Sequence, residues 1–160
     1  MGLPKVGNLA PAFALYNQDN QKVSLKQFRD RKNVVLYFYP KAMTPGCTDQ
    51  ACELRDTLKA YAKRNTVVLG VSPDPVTRLL KFKDKYSLTF DLLSDEDHAV
   101  ADKYGVWGPK KFMGREFIGL IRTTFLIGRD GRLKHVMDRV KTKTHHEDVI
   151  ACLDELGLVR

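Results

Sequence analysis

The sequence predicts a mixed α/β domain, a central mixed sheet flanked by helices, occupying residues 1–160 as one unit. Three observations carry this. Apolar strand-like runs alternate with amphipathic helical patterns over most of the chain, which predicts a parallel portion of sheet with helices on both faces. An Asp-Gly pair (Asp130-Gly131) between two strand-like runs near the end is a hairpin signal that adds antiparallel strands. With 160 residues, 43% hydrophobic and 29% charged, the chain is about one domain in size and long enough to bury a core.

Each element has a local reason. Residues 12–16 and 21–24 flank the turn-prone Asn17-Gln18-Asp19-Asn20, a short hairpin. Ser24 is placed to cap a short helix through Phe28. Residues 34–39 (Val-Val-Leu-Tyr-Phe-Tyr) show no polar alternation, which suits a central strand covered on both faces. Pro45 and Gly46 punctuate the next junction. Apolar groups at Ala51, Leu54, Leu58, Tyr61 and Ala62 then give one amphipathic helix over residues 48–64. Residues 67–71 form a second buried strand. Pro73 and Pro75 mark a helix start, with Leu79, Leu80, Phe82 and Tyr86 on its apolar face. Residues 90–93 form a third strand. Asp95 or Glu96 opens a helix to Tyr104 that ends at Gly105. Residues 108–114 read as a loop. Residues 123–127 and 133–136 make the late hairpin, and a last helix covers residues 144–156 up to Gly157.

Composition excludes several classes. No segment approaches the ~18 apolar residues of a membrane span, so no membrane association is expected. Met1-Gly2-Leu3-Pro4-Lys5 lacks the charged-then-apolar layout of a secretory signal, and a cytoplasmic protein is expected. Three cysteines in such a protein are better explained as catalytic, metal-binding or inert core residues than as a disulfide framework. The formal net charge of +8 leaves room for anionic substrates or an acidic protein partner. The basic residues are scattered rather than clustered among aromatics, so no nucleic-acid partner is expected. No phosphate-binding glycine loop is present, no Cys-x-x-Cys pair suggests zinc, and no cofactor or metal is expected. The adjacent His145 and His146 do not share a helix face and read as a cap or surface pair. His98 and His135 have no partner at ligand spacing. Lys110-Lys111 reads as solvated loop, and Trp107 as a packing residue.

The chemistry concentrates in Pro40-Lys41-Ala42-Met43-Thr44-Pro45-Gly46-Cys47-Thr48-Asp49-Gln50-Ala51-Cys52. This run places Cys47 at a strand-to-helix junction. A sulfur in the first helical turn meets unpaired backbone N–H groups and the positive end of the helix dipole, and both favour the reactive thiolate. Cys52 follows five residues on. Residues five apart on a helix advance about 7.5 Å and turn about 140°, which sets their Cα atoms roughly 8–9 Å apart. A disulfide needs about 4.4–6.8 Å. The two thiols therefore do not bond while the helix is intact: either its first turn unwinds during reaction, or the pair never bonds. Such spacing suits separate steps, in which one thiolate attacks an oxidant and the second thiol condenses with the sulfenic acid formed. The alternative for either cysteine, and more readily for Cys52, is a buried apolar role. Cys152 lies on an apolar stripe of the last helix and reads as an inert core thiol.

The pattern Pro40-x-x-x-Thr44-x-x-Cys47 resembles the peroxiredoxin active-site motif. The longer run from Tyr39 to Thr48, with Cys52 five residues on, is similar to the bacterioferritin comigratory protein (Q-type) subfamily. The likeness covers nearly the whole chain and includes Leu93-Ser94-Asp95, Gly105-Val106-Trp107-Gly108, Phe112-Met113-Gly114 and Arg122-Thr123-Thr124-Phe125-Leu126-Ile127. It implies a thioredoxin-like fold and thiol-dependent reduction of hydrogen peroxide and organic hydroperoxides. By the same resemblance Cys47 is the peroxidatic cysteine, and the Thr44 hydroxyl hydrogen-bonds the thiolate and the peroxide. Pro40 shields the pocket, and Arg122 stabilises the thiolate and orients the peroxide oxygens. Gln50 sits where relatives carry a polar residue near the pocket. The subfamily's resolving cysteine lies five residues on, in a later helix, or is absent. The helix around Phe82 has no cysteine, which leaves Cys52 as the candidate for a Cys47–Cys52 disulfide. The resemblance further implies thioredoxin or a similar dithiol reductant as partner, and a monomer. Two other readings stay open on sequence alone: a general thiol-disulfide oxidoreductase, and a binding module that uses the positive charge.

Overall fold

The computed structural model describes residues 3–138 and 140–157. In chain order these form β1 (Ala14–Asn17), β2 (Lys22–Ser24), a 3-10 turn (Leu25–Phe28), β3 (Asn33–Phe38), α1 (Pro45–Asp56), α2 (Leu58–Lys63) and β4 (Thr66–Ser72). They continue as α3 (Val76–Tyr86), β5 (Asp91–Ser94), α4 (Ala99–Lys103), β6 (Trp107–Phe112), β7 (Arg115–Leu120), β8 (Thr123–Ile127), β9 (Leu133–Met137) and α5 (His145–Glu155). Seven strands make one sheet in the order β2-β1-β5-β4-β3-β8-β9, while β6 and β7 pair separately.

Strand β3 is the axis of the sheet. All its residues are buried, as the unbroken apolar run requires of a strand covered on both faces. It pairs in parallel with β4 and antiparallel with β8, with Phe38 opposite Val71 on one side and Thr123 on the other. Because successive side chains point to opposite faces, β3 feeds two cores. Val34, Leu36 and Phe38 pack with Phe125, Val100 and Tyr104 on the face carrying α4 and the N-terminal segment. Val35 and Tyr37 pack with Leu54, Tyr61, Phe82 and Leu153 beneath α1, α2, α3 and α5. Fully burying one such side chain stabilises the fold by about 1.5–3 kcal/mol.

The expected alternation of strands and helices is observed, with four differences. The helix expected over residues 48–64 starts earlier, because Thr44 is its N-cap and Pro45 its first residue, a position where a missing N–H costs nothing. It also breaks at Thr57, whose hydroxyl donates to the Glu53 carbonyl at 2.8 Å and competes with the helical ladder. The helix expected from Asp95 begins only at Ala99. Asp95 instead accepts from the backbone N–H groups of Val100 (3.1 Å) and Ala101 (2.9 Å), and His98 enters the left-handed region at φ 50°. Leu80, assigned to the apolar face of α3, is exposed.

The fourth difference is the largest. Residues 108–114 are not a loop but nearly all of β6 and the turn of the β6–β7 hairpin, with Trp107 opposite Leu120 and Phe112 opposite Arg115. Gly108, Pro109, Lys110 and Lys111 have little strand propensity. The turn does, however, place Met113 (φ 51°) and Gly114 (φ 78°) both in the left-handed region, which matches the twist of a two-residue hairpin.

One close approach constrains the sheet beneath α1. Gly70 on β4 lies opposite Tyr37, and a Cβ at Gly70 would sit 2.9 Å from Tyr37 Cζ. Gly70→Ala is therefore expected to destabilise the protein by about 1–3 kcal/mol through overpacking, read as a lower midpoint in urea unfolding. An unchanged midpoint would show that the Tyr37 ring has room to move.

Candidate active site

The site forms where β3 ends and α1 begins. Pro40 is half-buried just past β3, at the start of the loop to Thr44. This loop is clipped from the side by the β4–α3 connection. Asp74, nearly buried, accepts from the Ala42 N–H and from the Ser72 hydroxyl, each at 2.7 Å. Arg78 pairs with Asp74 at 3.2 Å and donates to the Ala42 carbonyl at 2.9 Å. Both polar groups of residue 42 are thus held, and Met43 turns the chain at φ 67° into the helix.

Cys47 occupies the third position of α1 and is 1% exposed. Gln50, Ala51 and Leu54 are buried with it, the spacing of one helix face turned to the sheet. Arg122, the residue just before β8, reaches the same point. Thr123 lies opposite Phe38, so Arg122 falls beside the end of β3, and strand alternation puts it on the face shared by Thr124 and Leu126. Its Nη2 donates to Cys47 Sγ at 3.2 Å and its Nη1 to Gln50 Oε1 at 2.8 Å. A guanidinium held through two nitrogens is fixed in plane as well as in place. A permanent cation thus sets a charge-assisted donor 3.2 Å from the sulfur.

The other expected residues are placed less directly. The Thr44 hydroxyl donates to the Lys41 carbonyl at 2.8 Å. In this arrangement its oxygen is free to accept a hydrogen bond from a substrate, and it must rotate to donate one. Cys52 is half-buried on the same unbroken α1, which keeps it about 8–9 Å from Cys47 between Cα atoms by helix geometry. Burial pushes the Cys52 thiol up, opposed by Arg55 and reinforced by Asp56, Asp49 and Glu53. Cys152 is half-buried at the edge of the core beneath α5, its thiol raised by burial and then by Glu155. All three cysteines are free.

Two residues near the site were not expected there. His145 is 1% exposed rather than at the surface. Its Nδ1 lies 3.1 Å from Gln50 Nε2 and its Nε2 lies 2.7 Å from Thr124 Oγ1. The signal was present in the sequence: His145, Val149 and Leu153 recur every four residues on the buried stripe of α5. His146, its neighbour, turns instead to Glu53 at 2.9 Å. Lys110, expected in solvated loop, is half-buried on β6. Burial lowers its ammonium, with Arg122 lowering it further and Cys47 raising it, so the hairpin carries a second cation into the field of the site. Trp107 packs against the core and stacks on His98 at 4.0 Å. Among the described residues no group of three or more His, Cys, Asp or Glu is arranged to hold a metal ion, and no helix is long and apolar enough to cross a membrane.

Residues 6–136 match the AhpC/TSA family. The chain belongs to this family and is a peroxiredoxin. It is 49% identical over 151 residues to peroxiredoxin Bcp of Escherichia coli, spanning 94% of this chain and 96% of that one. Among solved structures, Xylella fastidiosa PrxQ superposes with a TM-score of 0.87 at 31% identity over 98% of each chain. A Xanthomonas campestris bacterioferritin comigratory protein, described by its alkyl peroxide reduction activity, gives 0.84 at 30% identity over 89% of this chain and 90% of that one. The thioredoxin-like fold expected from the resemblance is thereby shown. As a peroxiredoxin the protein is a thiol-dependent peroxidase, acting on peroxides and needing a reductant to renew its thiol.

The peroxiredoxin's buried histidine gives its stability a pH signature. Burial first, and then the positive charge of Arg122, lowers His145 from 6.5 to about 4 despite the opposing charge of Asp148. The folded protein thus resists protonation that the unfolded chain accepts. The neutral ring's contribution is fully present above pH 6.5 and is lost as pH falls toward 4, about 3 kcal/mol in all. Urea unfolding of the wild type between pH 7 and 4 should show this loss, and His145→Asn, with nothing to titrate there, correspondingly less of it. Equal pH slopes would contradict the assignment.

Proposed function

We propose that Cys47 is the peroxidatic cysteine and that Arg122, Thr44 and Pro40 serve it. The observation that carries this reading is the Arg122 guanidinium, 3.2 Å from Cys47 Sγ through one nitrogen and anchored on Gln50 through the other. The Cys47 thiolate attacks one oxygen of a hydroperoxide, ROOH. The O–O bond breaks, the outer oxygen stays on the sulfur with its proton so that Cys47 becomes a sulfenic acid, and the alkoxide RO⁻ takes up from solvent the proton the thiol had released and leaves as ROH. Arg122, a donor already aimed at the sulfur, stabilises the negative charge that moves onto the leaving oxygen. Thr44 accepts from the substrate's hydroxyl, and Pro40 keeps water from the pocket. The substrates proposed are hydrogen peroxide and organic hydroperoxides.

Cys52 then attacks the sulfenic sulfur, water leaves, and a Cys47–Cys52 disulfide forms. Because α1 holds the two sulfurs apart, its first turns unwind for this step. The raised Cys52 thiol supports the order of events: it stays protonated and unreactive until the sulfenic acid is presented to it. Thioredoxin or a similar dithiol protein restores both thiols, a reading supported by the Q-type subfamily resemblance, as is a monomeric state. Three free cysteines fit the reducing cytoplasm.

Peroxide-dependent oxidation of reduced thioredoxin tests the scheme. Cys47→Ser is expected to abolish turnover, and Arg122→Leu to slow Cys47 oxidation by about 10²–10³-fold. Cys52→Ser should consume one equivalent of peroxide and stop as the sulfenic acid. Full turnover in Cys47→Ser would refute the assignment, and unimpaired cycling in Cys52→Ser would give resolution to another thiol.

A further inference from the structure

The hydrogen bonds behind Arg122 have a direction that chemistry alone determines. A guanidinium only donates, so the Gln50 atom 2.8 Å from Arg122 Nη1 is the carbonyl oxygen. The Gln50 NH2 therefore faces His145 Nδ1 at 3.1 Å. An amide NH2 also only donates, so Nδ1 carries no proton and accepts. The ring proton is then on Nε2, which donates to Thr124 Oγ1 at 2.7 Å. Thr124 is fixed on β8 opposite Tyr37, and the imidazole packs against the Tyr37 ring at 5.8 Å.

We propose that His145 is a positioning residue of the peroxidase reaction: its Nδ1 lone pair holds the Gln50 amide with the oxygen toward Arg122, and so sets the guanidinium against Cys47. The proposal rests on the reading of Cys47 as the attacking sulfur. Its physical content is an amide flip. The two ends of a glutamine side chain are nearly alike in shape, and only partners decide which way they point. With the His145 acceptor gone, an inverted Gln50 sets its NH2 against the Arg122 N–H, donor against donor. Arg122 then loses its second anchor, and the guanidinium plane is no longer set. A buried imidazole kept neutral supplies this lone pair throughout the neutral range. The chain Thr124–His145–Gln50–Arg122 also ties the docking of α5 to the geometry at α1, two elements far apart in sequence.

The test has one readout on the wild type and one on variants. In 15N-labelled wild-type protein, the His145 ring is expected to show the neutral tautomer protonated at Nε2 from pH 5.5 to 8. An Nδ1–H tautomer or an imidazolium in that range would overturn the proposal with no variant needed. For the variants, the second-order rate of Cys47 oxidation by hydrogen peroxide is compared. His145→Asn keeps an acceptor near the Nδ1 position and should stay within about threefold of wild type. His145→Gln, which keeps a donor near Nε2 but loses that acceptor, should be slowed by about 10–100-fold, the usual effect of removing a group that orients a reacting one. A purely structural histidine would slow both variants alike, and that result, like an unimpaired His145→Gln, overturns the proposal. If either variant fails to fold, the tautomer decides. Wild-type Cys47 that does not oxidise would remove the reading of the site itself, and this proposal with it. Normal wild-type oxidation with the wrong tautomer removes this proposal alone.

Discussion

Arg122 meets Cys47 because β8 lies antiparallel against β3 with Thr123 opposite Phe38. A slip of one residue in that register would turn Arg122 to the other face of the sheet, away from the helix that carries the sulfur. The register is secured by burial on both faces: Val35 and Tyr37 commit one side of β3 to the core under α1, and Leu36 and Phe38 commit the other. The cation at the thiol is thus held by the whole central sheet rather than by its own loop. The apolar core fixes the backbone, and the backbone delivers one charged group to one sulfur.

The second constraint acts on the helix that carries Cys47. Thr44 and Pro45 start α1, while Asp74 and Arg78 hold Ala42 just upstream. The entry to the helix is therefore rigid on its upstream side. The helix itself is a different matter. It keeps Cys47 and Cys52 apart, and any bond between them is made at the cost of its first turns. The buried face that resists such unwinding consists of Cys47, Gln50, Ala51 and Leu54. Of these, Gln50 also carries the link to Arg122, so unwinding would release the guanidinium as it exposes the sulfur. A single local transition would switch the site from one that attacks peroxide to one that awaits a second thiol.

Much of this was legible in the sequence and some was not, for definite reasons. Cys47 at a helix start and Arg122 before a strand are local features, and a motif captures them. The central strand was legible because a six-residue apolar run has few other fates. The β6–β7 hairpin was not, since Gly108, Pro109 and two lysines suppress strand propensity and only the pairing itself overrides it. Met113 takes the first positive-φ position of the turn, where glycine or asparagine would announce it, and only Gly114 after it carries the usual signal. Thr57 broke a helix whose apolar pattern continued past it, through a hydroxyl that bonds back to its own backbone. His145 was hidden by its neighbour: two adjacent histidines suggest a polar end, whereas one faces Glu53 and the other is sealed beneath α5. Its partners Gln50 and Thr124 lie 95 and 21 residues away, a separation that only the folded chain closes.

The central claim is that one sulfur of three is selected by its surroundings to meet the oxidant first. The most direct measurement exposes the reduced protein to less than one equivalent of hydrogen peroxide, traps sulfenic acid with dimedone, and maps the adduct by mass spectrometry. The early adduct is expected on Cys47 alone, with Cys52 and Cys152 unmodified. Early labelling of Cys52 or Cys152, equal to or ahead of Cys47, would contradict the claim.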